Sequence, residues 1–150
     1  MDVHHRFMRQ ALVLAKQAYD EGEIPVGALI VDNGRVIGKG YNQTERLKDP
    51  TAHAEILAIS AACQTLDNKY LPNCTLYVTL EPCPMCATAL VWSKIGRIVF
   101  AAHDDKYGAC GSHFNLHQHP ALNHKIEVLE GVMAQESEQM IKDFFALRRR

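Results

Sequence analysis

Two short segments of this 150-residue chain contain the residue types from which catalytic metal sites are built. The first contains His53 and Glu55, and the second contains Cys83 and Cys86. Two thiolates and one imidazole suit zinc, and three protein ligands leave a fourth position for water. Because two thiolates neutralise Zn²⁺, the metal acidifies that water only weakly, so Glu55 is expected to serve as its base. The pattern therefore predicts a catalytic zinc site with one Zn²⁺ per subunit.

The spacing of these residues suits the starts of two helices. Cys83 and Cys86 are three residues apart and share one helix face, with Pro84 suited to the first turn. Unpaired amides and the helix dipole stabilise thiolates at that position. His53 begins another predicted helix. Ala54 follows it with no bulk to obstruct a flat substrate, and we expect its backbone amide to face that substrate.

Three other interpretations of the cysteines remain open. A structural zinc site would need a fourth protein ligand, for which the candidates are Cys63, Cys74 and Cys110. A thioredoxin-like redox pair would explain the Cys-x-x-Cys spacing but leave His53 and Glu55 without a role. The third alternative is two apolar core cysteines with an unrelated histidine. The combined spacing favours the catalytic site over all three.

Composition limits the class of protein. Apolar residues make up 47% and charged residues 22% of the chain, as in one ordinary globular domain spanning residues 1–150. The chain shows neither a secretory leader nor a transmembrane stretch, and this predicts a cytoplasmic protein with no membrane partner. Five cysteines without a secretion signal argue against a disulfide framework. The formal net charge of −1 gives no global indication of nucleic-acid binding, so any such evidence must be local.

Periodicity and turn signals predict an α/β fold. Asn33-Gly34 is a strong hairpin signal, and the segment 103–124 is predicted to be a loop with room for one helical turn. The order of elements indicates a three-layer α/β/α sandwich with a mixed five-stranded sheet. The predicted helices span 3–21, 53–66, 84–95 and 135–150, and the predicted strands span 26–32, 35–41, 75–80, 97–102 and 125–129.

The sequence also resembles a known enzyme family. His-x-Glu followed by Pro-Cys-x-x-Cys resembles the signature of zinc nucleobase deaminases. Over nearly its whole length the chain is similar to the bacterial tRNA adenosine deaminases (TadA type). The segments that carry this likeness are 23–28, 49–55, 76–83, 108–112, 123–124 and 143–145.

The resemblance implies a fold, a reaction and an assembly. The fold would be cytidine-deaminase-like, and the protein a homodimer that builds its RNA surface from both subunits. The reaction would be hydrolytic deamination of the wobble adenosine (position 34) in the anticodon loop of a transfer RNA, giving inosine. A zinc-bound hydroxide would attack C6 of the ring, while Glu55 protonates N1 and then the departing amine.

Two loops are predicted to hold the target nucleotide. The resemblance places Asn42 against the purine, where an amide can pair bidentately, although an Asx turn would explain the same residue. It places the loop containing Asp104 beside the nucleotide. Asp104 and Lys106 follow a strand at the sheet edge where α/β proteins bind ligands, whereas a solvated turn is the alternative.

The C-terminal residues and the histidines are candidates for RNA contact. Phe145 could stack on a base, and Arg148 and Arg149 belong to the densest positive cluster, although packing and solvation would also explain them. We further hypothesise that some of four histidines protonate near phosphate, so that RNA binds more tightly at pH 6 than at pH 8. These histidines are His113, His117, His119 and His124.

Two alternative functions remain open at this stage. A small-molecule deaminase of the same fold, acting on guanine or cytosine, would use the same metal chemistry. A non-enzymatic, zinc-stabilised RNA-binding module is the alternative from another class, and it leaves Glu55 without a purpose.

Overall fold

The computed structural model of the protein describes residues 2–148. The elements follow the predicted order closely, with a short 3₁₀ turn at Leu116–Gln118 inside the predicted loop. The helices are α1 (Val3–Asp20), α2 (Ala54–Leu66), α3 (Pro84–Trp92) and α4 (Ala134–Arg148). The strands are β1 (Gly27–Asp32), β2 (Arg35–Tyr41), β3 (Thr75–Leu80), β4 (Arg97–Ala102) and β5 (Glu127–Leu129).

The five strands form one mixed sheet in the order β2-β1-β3-β4-β5. The hairpin of β1 and β2 is antiparallel, β1 also pairs antiparallel with β3, and β3, β4 and β5 run parallel. Helix α3 connects β3 to β4. Because β3 and β4 are parallel, the segments that follow them emerge at the same edge of the sheet. This brings residues after Leu80 and after Ala102 together.

Alternating side chains give the sheet two buried faces. Ala28 and Ile30 of β1 pack in the core that contains α2 and α3. Leu29 and Val31, between and beside them, pack in a second core against α1. Helix α4 joins that side, where Ser137 donates a hydrogen bond to the Thr79 carbonyl. The three-layer α/β/α sandwich with a mixed five-stranded sheet is confirmed.

The helix boundaries differ from prediction by a few residues. Helix α2 begins at Ala54 with His53 as its N-cap, one residue later than predicted. Helix α3 ends at Trp92 rather than at residue 95, because Lys94 has a left-handed backbone with φ +58°. Within residues 2–148, no helix has the length and apolar character that a membrane span requires.

A glycine sets how closely α2 approaches the sheet. A Cβ atom on Gly40 would lie 2.8 Å from the Ala58 amide nitrogen and closer still to the Ala54 carbonyl oxygen. Both atoms belong to the α2 backbone, which cannot yield as a flexible side chain could. The absence of a side chain at Gly40 therefore allows the first turn of α2 to lie on β2.

Gly40→Ala is expected to destabilise the protein by about 1–3 kcal/mol, the usual range for overpacking a rigid core. Urea unfolding followed by circular dichroism measures the change. The matched control is Gly96→Ala, since its added Cβ would lie 3.3 Å from the Cys74 carbonyl oxygen, a much milder contact. Equal stability of the Gly40→Ala variant and the parent protein would show that α2 is not held at this distance by Gly40.

Candidate metal centre and substrate pocket

The N-termini of two helices meet at the predicted metal centre. His53 is the N-cap of α2 and Cys83 is the N-cap of α3, both with extended backbones, while Cys86 lies in the first turn of α3. The ligand atoms of these three residues all lie within 4.8 Å of one another. Because helix N-termini carry unpaired amides and partial positive charge, both helix ends favour thiolates at this point.

The distances within this group fit zinc. The sulfur of Cys83 lies 3.6 Å from His53 Nδ1, and the sulfur of Cys86 lies 3.5 Å from the same nitrogen. Zinc bonds of roughly 2.3 Å to sulfur and 2.0–2.1 Å to nitrogen give a sulfur–nitrogen edge of about 3.6 Å in a tetrahedral site. The observed spacing is therefore that of two edges of a zinc tetrahedron.

A fourth protein ligand is absent from the part of the chain that the structure describes. Among residues 2–148, no other His, Cys, Asp or Glu joins the group of His53, Cys83 and Cys86. The structural-zinc interpretation, which needed a fourth cysteine, is therefore wrong for its three candidates, Cys63, Cys74 and Cys110. A three-ligand group that opens into a cavity has the form of a catalytic zinc site.

The electrostatics of the group favour a cation. A hydrogen bond from the Cys86 thiol lowers the pKa of Cys83 to about 4, with a further contribution from His53. The same hydrogen bond, together with burial, raises the pKa of Cys86. The hydrogen bond to Cys83 also raises the pKa of His53. The thiols thus compete for one proton, and a dication held between them would stabilise both as thiolates.

Glu55 lies beside these ligands in the first turn of α2. Its side chain is buried, and this burial raises the pKa of Glu55 to about 7, against a hydrogen bond from its own amide. A carboxyl group with a pKa near neutrality can both accept and deliver a proton at physiological pH. Its position therefore suits the proton carrier predicted from the sequence.

A cavity of about 390 Å³ opens onto the metal ligands. Its volume lies within the range typical of small-ligand pockets. It is lined both by predicted site residues and by residues that the sequence analysis did not assign to the site. The former are Asn42, His53, Ala54, Glu55, Cys83 and Asp104, and the latter include Ile24, Glu81, Met85 and Tyr107.

Asn42 lines this cavity, and its side chain also makes an Asx turn, which was the alternative explanation of this residue. Its amide nitrogen donates to the Ile24 carbonyl at 3.2 Å, and its amide oxygen accepts a weak hydrogen bond from the Thr44 amide at 3.4 Å. A side-chain amide has two N–H groups and two oxygen lone pairs. One donor and one acceptor position therefore remain for a ligand, and the turn orients the group that carries them.

Asp104, which follows β4, both makes a turn and lines the metal cavity, so the two interpretations of this residue are compatible. Its carboxylate accepts hydrogen bonds from the amides of Lys106 and Tyr107 at 3.0 and 3.1 Å, which makes a turn. Asp104 also lines the metal cavity, whereas Lys106 lines a neighbouring cavity of about 440 Å³. Tyr107, whose ring is largely exposed, borders both cavities.

The residues predicted to contact RNA at the C-terminus have different surroundings in the structure. Phe145 lines the neighbouring cavity and meets the Phe144 ring edge-to-face. The guanidinium of Arg148 lies 3.6 Å from the centroid of the Phe144 ring and donates to the Phe144 carbonyl at 3.2 Å. Arg148 is thus held on its own helix. Arg149 lies outside the described residues.

The histidine hypothesis is wrong for His117. That side chain is buried, and burial lowers the pKa of His117, which opposes protonation near phosphate. The other three are engaged with the backbone. His113 contacts the Asp105 carbonyl, His124 contacts the Ile95 carbonyl at 2.7 Å, and His119 accepts from the Ala121 amide at 3.0 Å.

Glu81 is a buried carboxylate to which the sequence analysis gave no role. Burial by itself would raise the pKa of Glu81, but hydrogen bonds from Ser112 and from the amides of Asp104 and Cys110 outweigh it and lower that pKa. The sequence does carry one signal, since a glutamate at the end of an apolar strand is exceptional unless something pairs with it. Its partners lie 23–31 residues further along the chain.

Comparison with known proteins points to one family. Residues 1–102 match the family model described as the cytidine and deoxycytidylate deaminase zinc-binding region. A tRNA-specific adenosine deaminase of Aquifex aeolicus is 50% identical over 139 residues, which cover 93% of this chain and 91% of that protein. A tRNA-specific adenosine deaminase of Haemophilus influenzae is 50% identical over 145 residues, covering 96% of this chain and 84% of that protein.

Solved structures give the same fold. A structure from work on A-to-I editing by tRNA:A34 deaminases superposes with a TM-score of 0.87 at 43% identity, covering 90% of this chain and 98% of that one. A guanine deaminase from Nitrosomonas europaea superposes with a TM-score of 0.77 at 28% identity, covering 93% of this chain and 82% of that one.

Proposed function

Because the chain belongs to the cytidine and deoxycytidylate deaminase family of zinc-binding enzymes, in its tRNA-specific adenosine deaminase branch, we propose that it converts the wobble adenosine of a transfer RNA, position 34, to inosine. The enzyme is a hydrolase that acts on a C–N bond. Water and the adenine amidine are consumed, and a hypoxanthine carbonyl and ammonia are formed.

One observation carries this proposal more than any other. His53, Cys83 and Glu55 line the same cavity as Asn42, so two metal ligands, a proton carrier and an amide able to pair with a purine surround space for one base. The relatives named as tRNA adenosine or tRNA(adenine(34)) deaminases are 40–50% identical to this chain, whereas the guanine deaminase is 28% identical. This difference favours the tRNA substrate over the small-molecule alternative, which the metal chemistry alone does not separate.

We propose that the metal is zinc, one ion per subunit, held by His53 Nδ1 and the sulfurs of Cys83 and Cys86. The spacing of these atoms and the absence of a fourth ligand within residues 2–148 support this assignment. When bound, zinc supplies a Lewis acid that makes water more acidic.

The chain's own residues then handle the base and the protons. Glu55 takes one proton from the attacking water and delivers it to N1 of the ring, and it then carries the second proton of that water to the departing amine. Asn42 presents its remaining donor and acceptor to the purine edge. Ala54, buried and without bulk, leaves room for the flat ring, and Asp104 and Tyr107 also line the cavity.

The substrate must be an unstacked nucleotide, because a duplex hides C6 of adenine inside the base stack. An anticodon loop meets this demand, and the neighbouring cavity offers room for an adjacent nucleotide. Lys106 and Phe145 line that cavity, where a cation and an aromatic ring suit a phosphate and a base. We propose that Arg148, at the end of α4, lies at the periphery of this RNA surface and that Arg149 adds positive charge for RNA binding.

We propose further that the protein acts as a cytoplasmic homodimer whose RNA surface is built from both subunits. Trp92, at the end of α3, is 59% exposed, and we propose that it lies in the contact with the second copy. Analytical ultracentrifugation of the purified protein tests the dimer.

The function is tested by incubating zinc-loaded protein with an adenosine-34 transfer RNA, free guanine and free cytidine, and identifying the products by liquid chromatography and mass spectrometry. Inosine only at position 34 of the RNA is the expected result. Conversion of a free base alone would select the small-molecule deaminase. No turnover by protein that holds zinc and binds RNA would select the RNA-binding module.

A further inference from the structure

We infer that Glu81 is a positioning residue for substrate binding, which holds the segment 103–112 (the substrate loop) against the two cavities. This inference rests on the proposed function, and it assigns to Glu81 no proton transfer. It follows from the hydrogen bonds that converge on one buried carboxylate and from a close contact with one glycine.

The carboxylate of Glu81 receives hydrogen bonds from both ends of the substrate loop. Oε1 accepts from the Asp104 amide at 3.1 Å and from the Ser112 hydroxyl. Oε2 accepts from the amides of Cys110 and Ser112, each at 3.0 Å. The Glu81 side chain is fully buried. A buried carboxylate needs such donors, so the loop and Glu81 stabilise each other.

Gly108, in the middle of the loop, lies directly on this carboxylate. A Cβ atom added to Gly108 would lie 2.5 Å from both oxygens of Glu81. The backbone of Gly108 does not have the positive φ that favours glycine, unlike that of Gly111. The contact with Glu81 is therefore what requires glycine at this position, and the loop contacts the carboxylate near its start, in its middle and at its end.

The substrate loop forms part of the wall of both cavities. Asp104 and Tyr107 line both the metal cavity and the neighbouring cavity. The turn that places Tyr107 depends on Asp104, and the Asp104 amide donates to Glu81. Displacing the loop would therefore change the walls that face the target base and the adjacent nucleotide together. The groups that handle protons and metal lie on α2 and α3 instead.

A glutamine in place of Glu81 would have nearly the same size, but it could not accept the same hydrogen bonds. Its amide group is a donor, and it would face backbone amides that are also donors. One of the two oxygens that now accept would be lost, which leaves buried N–H groups unpaired. Besides these donors, His103 Nδ1 lies 3.5 Å from Glu81 Oε1.

Glu81→Gln is expected to raise the KM for adenosine-34 transfer RNA by about tenfold while kcat changes by less than about threefold, because positioning rather than proton transfer is impaired. Zinc content should stay at one per chain. Backbone amides in 103–112 should exchange with deuterium about tenfold faster, as a loosened loop does. The matched control is Glu130→Gln, since the Glu130 carboxylate lies on the other side of His103 and is exposed. It should behave as the parent.

Any of the following results would overturn the inference. An unchanged KM or unchanged exchange in 103–112 would show that Glu81 does not hold the loop for RNA. Loss of zinc, or a fall in kcat with KM unchanged, would show that Glu81 supports the metal centre instead. If the parent protein itself makes no inosine, the proposed function fails, whereas the exchange measurement still tests the loop.

A double-mutant cycle gives a second test should Glu81→Gln prove hard to purify. Gly108→Ala alone is expected to raise KM by about tenfold, because the new methyl overlaps the carboxylate. In a Glu81→Ala background the same change should add less than about twofold, since the overlapping atoms are gone. Additive effects would show that Gly108 and Glu81 act separately and would overturn the inference.

Discussion

Replacing Glu55 with glutamine is expected to lower kcat by about 10²–10⁴-fold, the usual contribution of a positioned acid–base group. Glutamine preserves the volume of this buried side chain in the first turn of α2. It neither accepts a proton from water nor delivers one to the ring or the departing amine. Single-turnover formation of inosine in an adenosine-34 transfer RNA measures the effect.

Two comparisons make this result specific to proton transfer. Zinc content, measured by mass spectrometry, should remain at one per chain, because Glu55 is not in the group of ligand atoms. Glu136→Gln is the matched control, since Glu136 also lies in the first turn of a helix but outside the metal cavity. Normal turnover by the Glu55→Gln variant would mean that another group carries the proton.

The second large effect is expected from Cys86→Ser. The substitution replaces a buried sulfur ligand at the start of α3 with a hydroxyl. Losing a residue that only hydrogen-bonds to a metal ligand typically costs about 10–100-fold in affinity. Because Cys86 is itself a ligand, zinc affinity should fall by more than about 10²-fold. Inosine formation should fall below detection. Cys63→Ser is the control, because Cys63 is a half-buried free thiol that does not belong to the metal group.

Thermal unfolding provides a readout that does not depend on activity. A ligand that binds only the folded protein adds stability, about 2.7 kcal/mol at a free concentration 100 times its Kd. A chelator should therefore lower the Tm of the parent and of Cys63→Ser, and should leave that of Cys86→Ser nearly unchanged. An unaltered parent Tm together with full activity after exhaustive chelation would contradict a metal-dependent enzyme.

Local chemistry explains why much of this protein could be predicted from its sequence. The hairpin follows from Asn33-Gly34, and the helices follow from apolar periodicity and from Pro84 in a first turn. The metal ligands were identifiable because their residue types are rare together and because their spacing suits two helix starts. In the structure these three residues do meet, at distances that fit zinc.

Contacts between distant parts of the chain decided the rest. The hydrogen bond from the Asn42 amide to the Ile24 carbonyl and the burial of His117 each depend on packing that a residue type does not reveal. Glu81 is the clearest case, since its donors lie 23–31 residues away and meet it only because β3 and β4 are parallel neighbours. Residue types and spacing determined the chemistry that the chain can perform. The sheet order determined which loops enclose it, because hydrogen bonds between distant segments form only after those segments have been brought together.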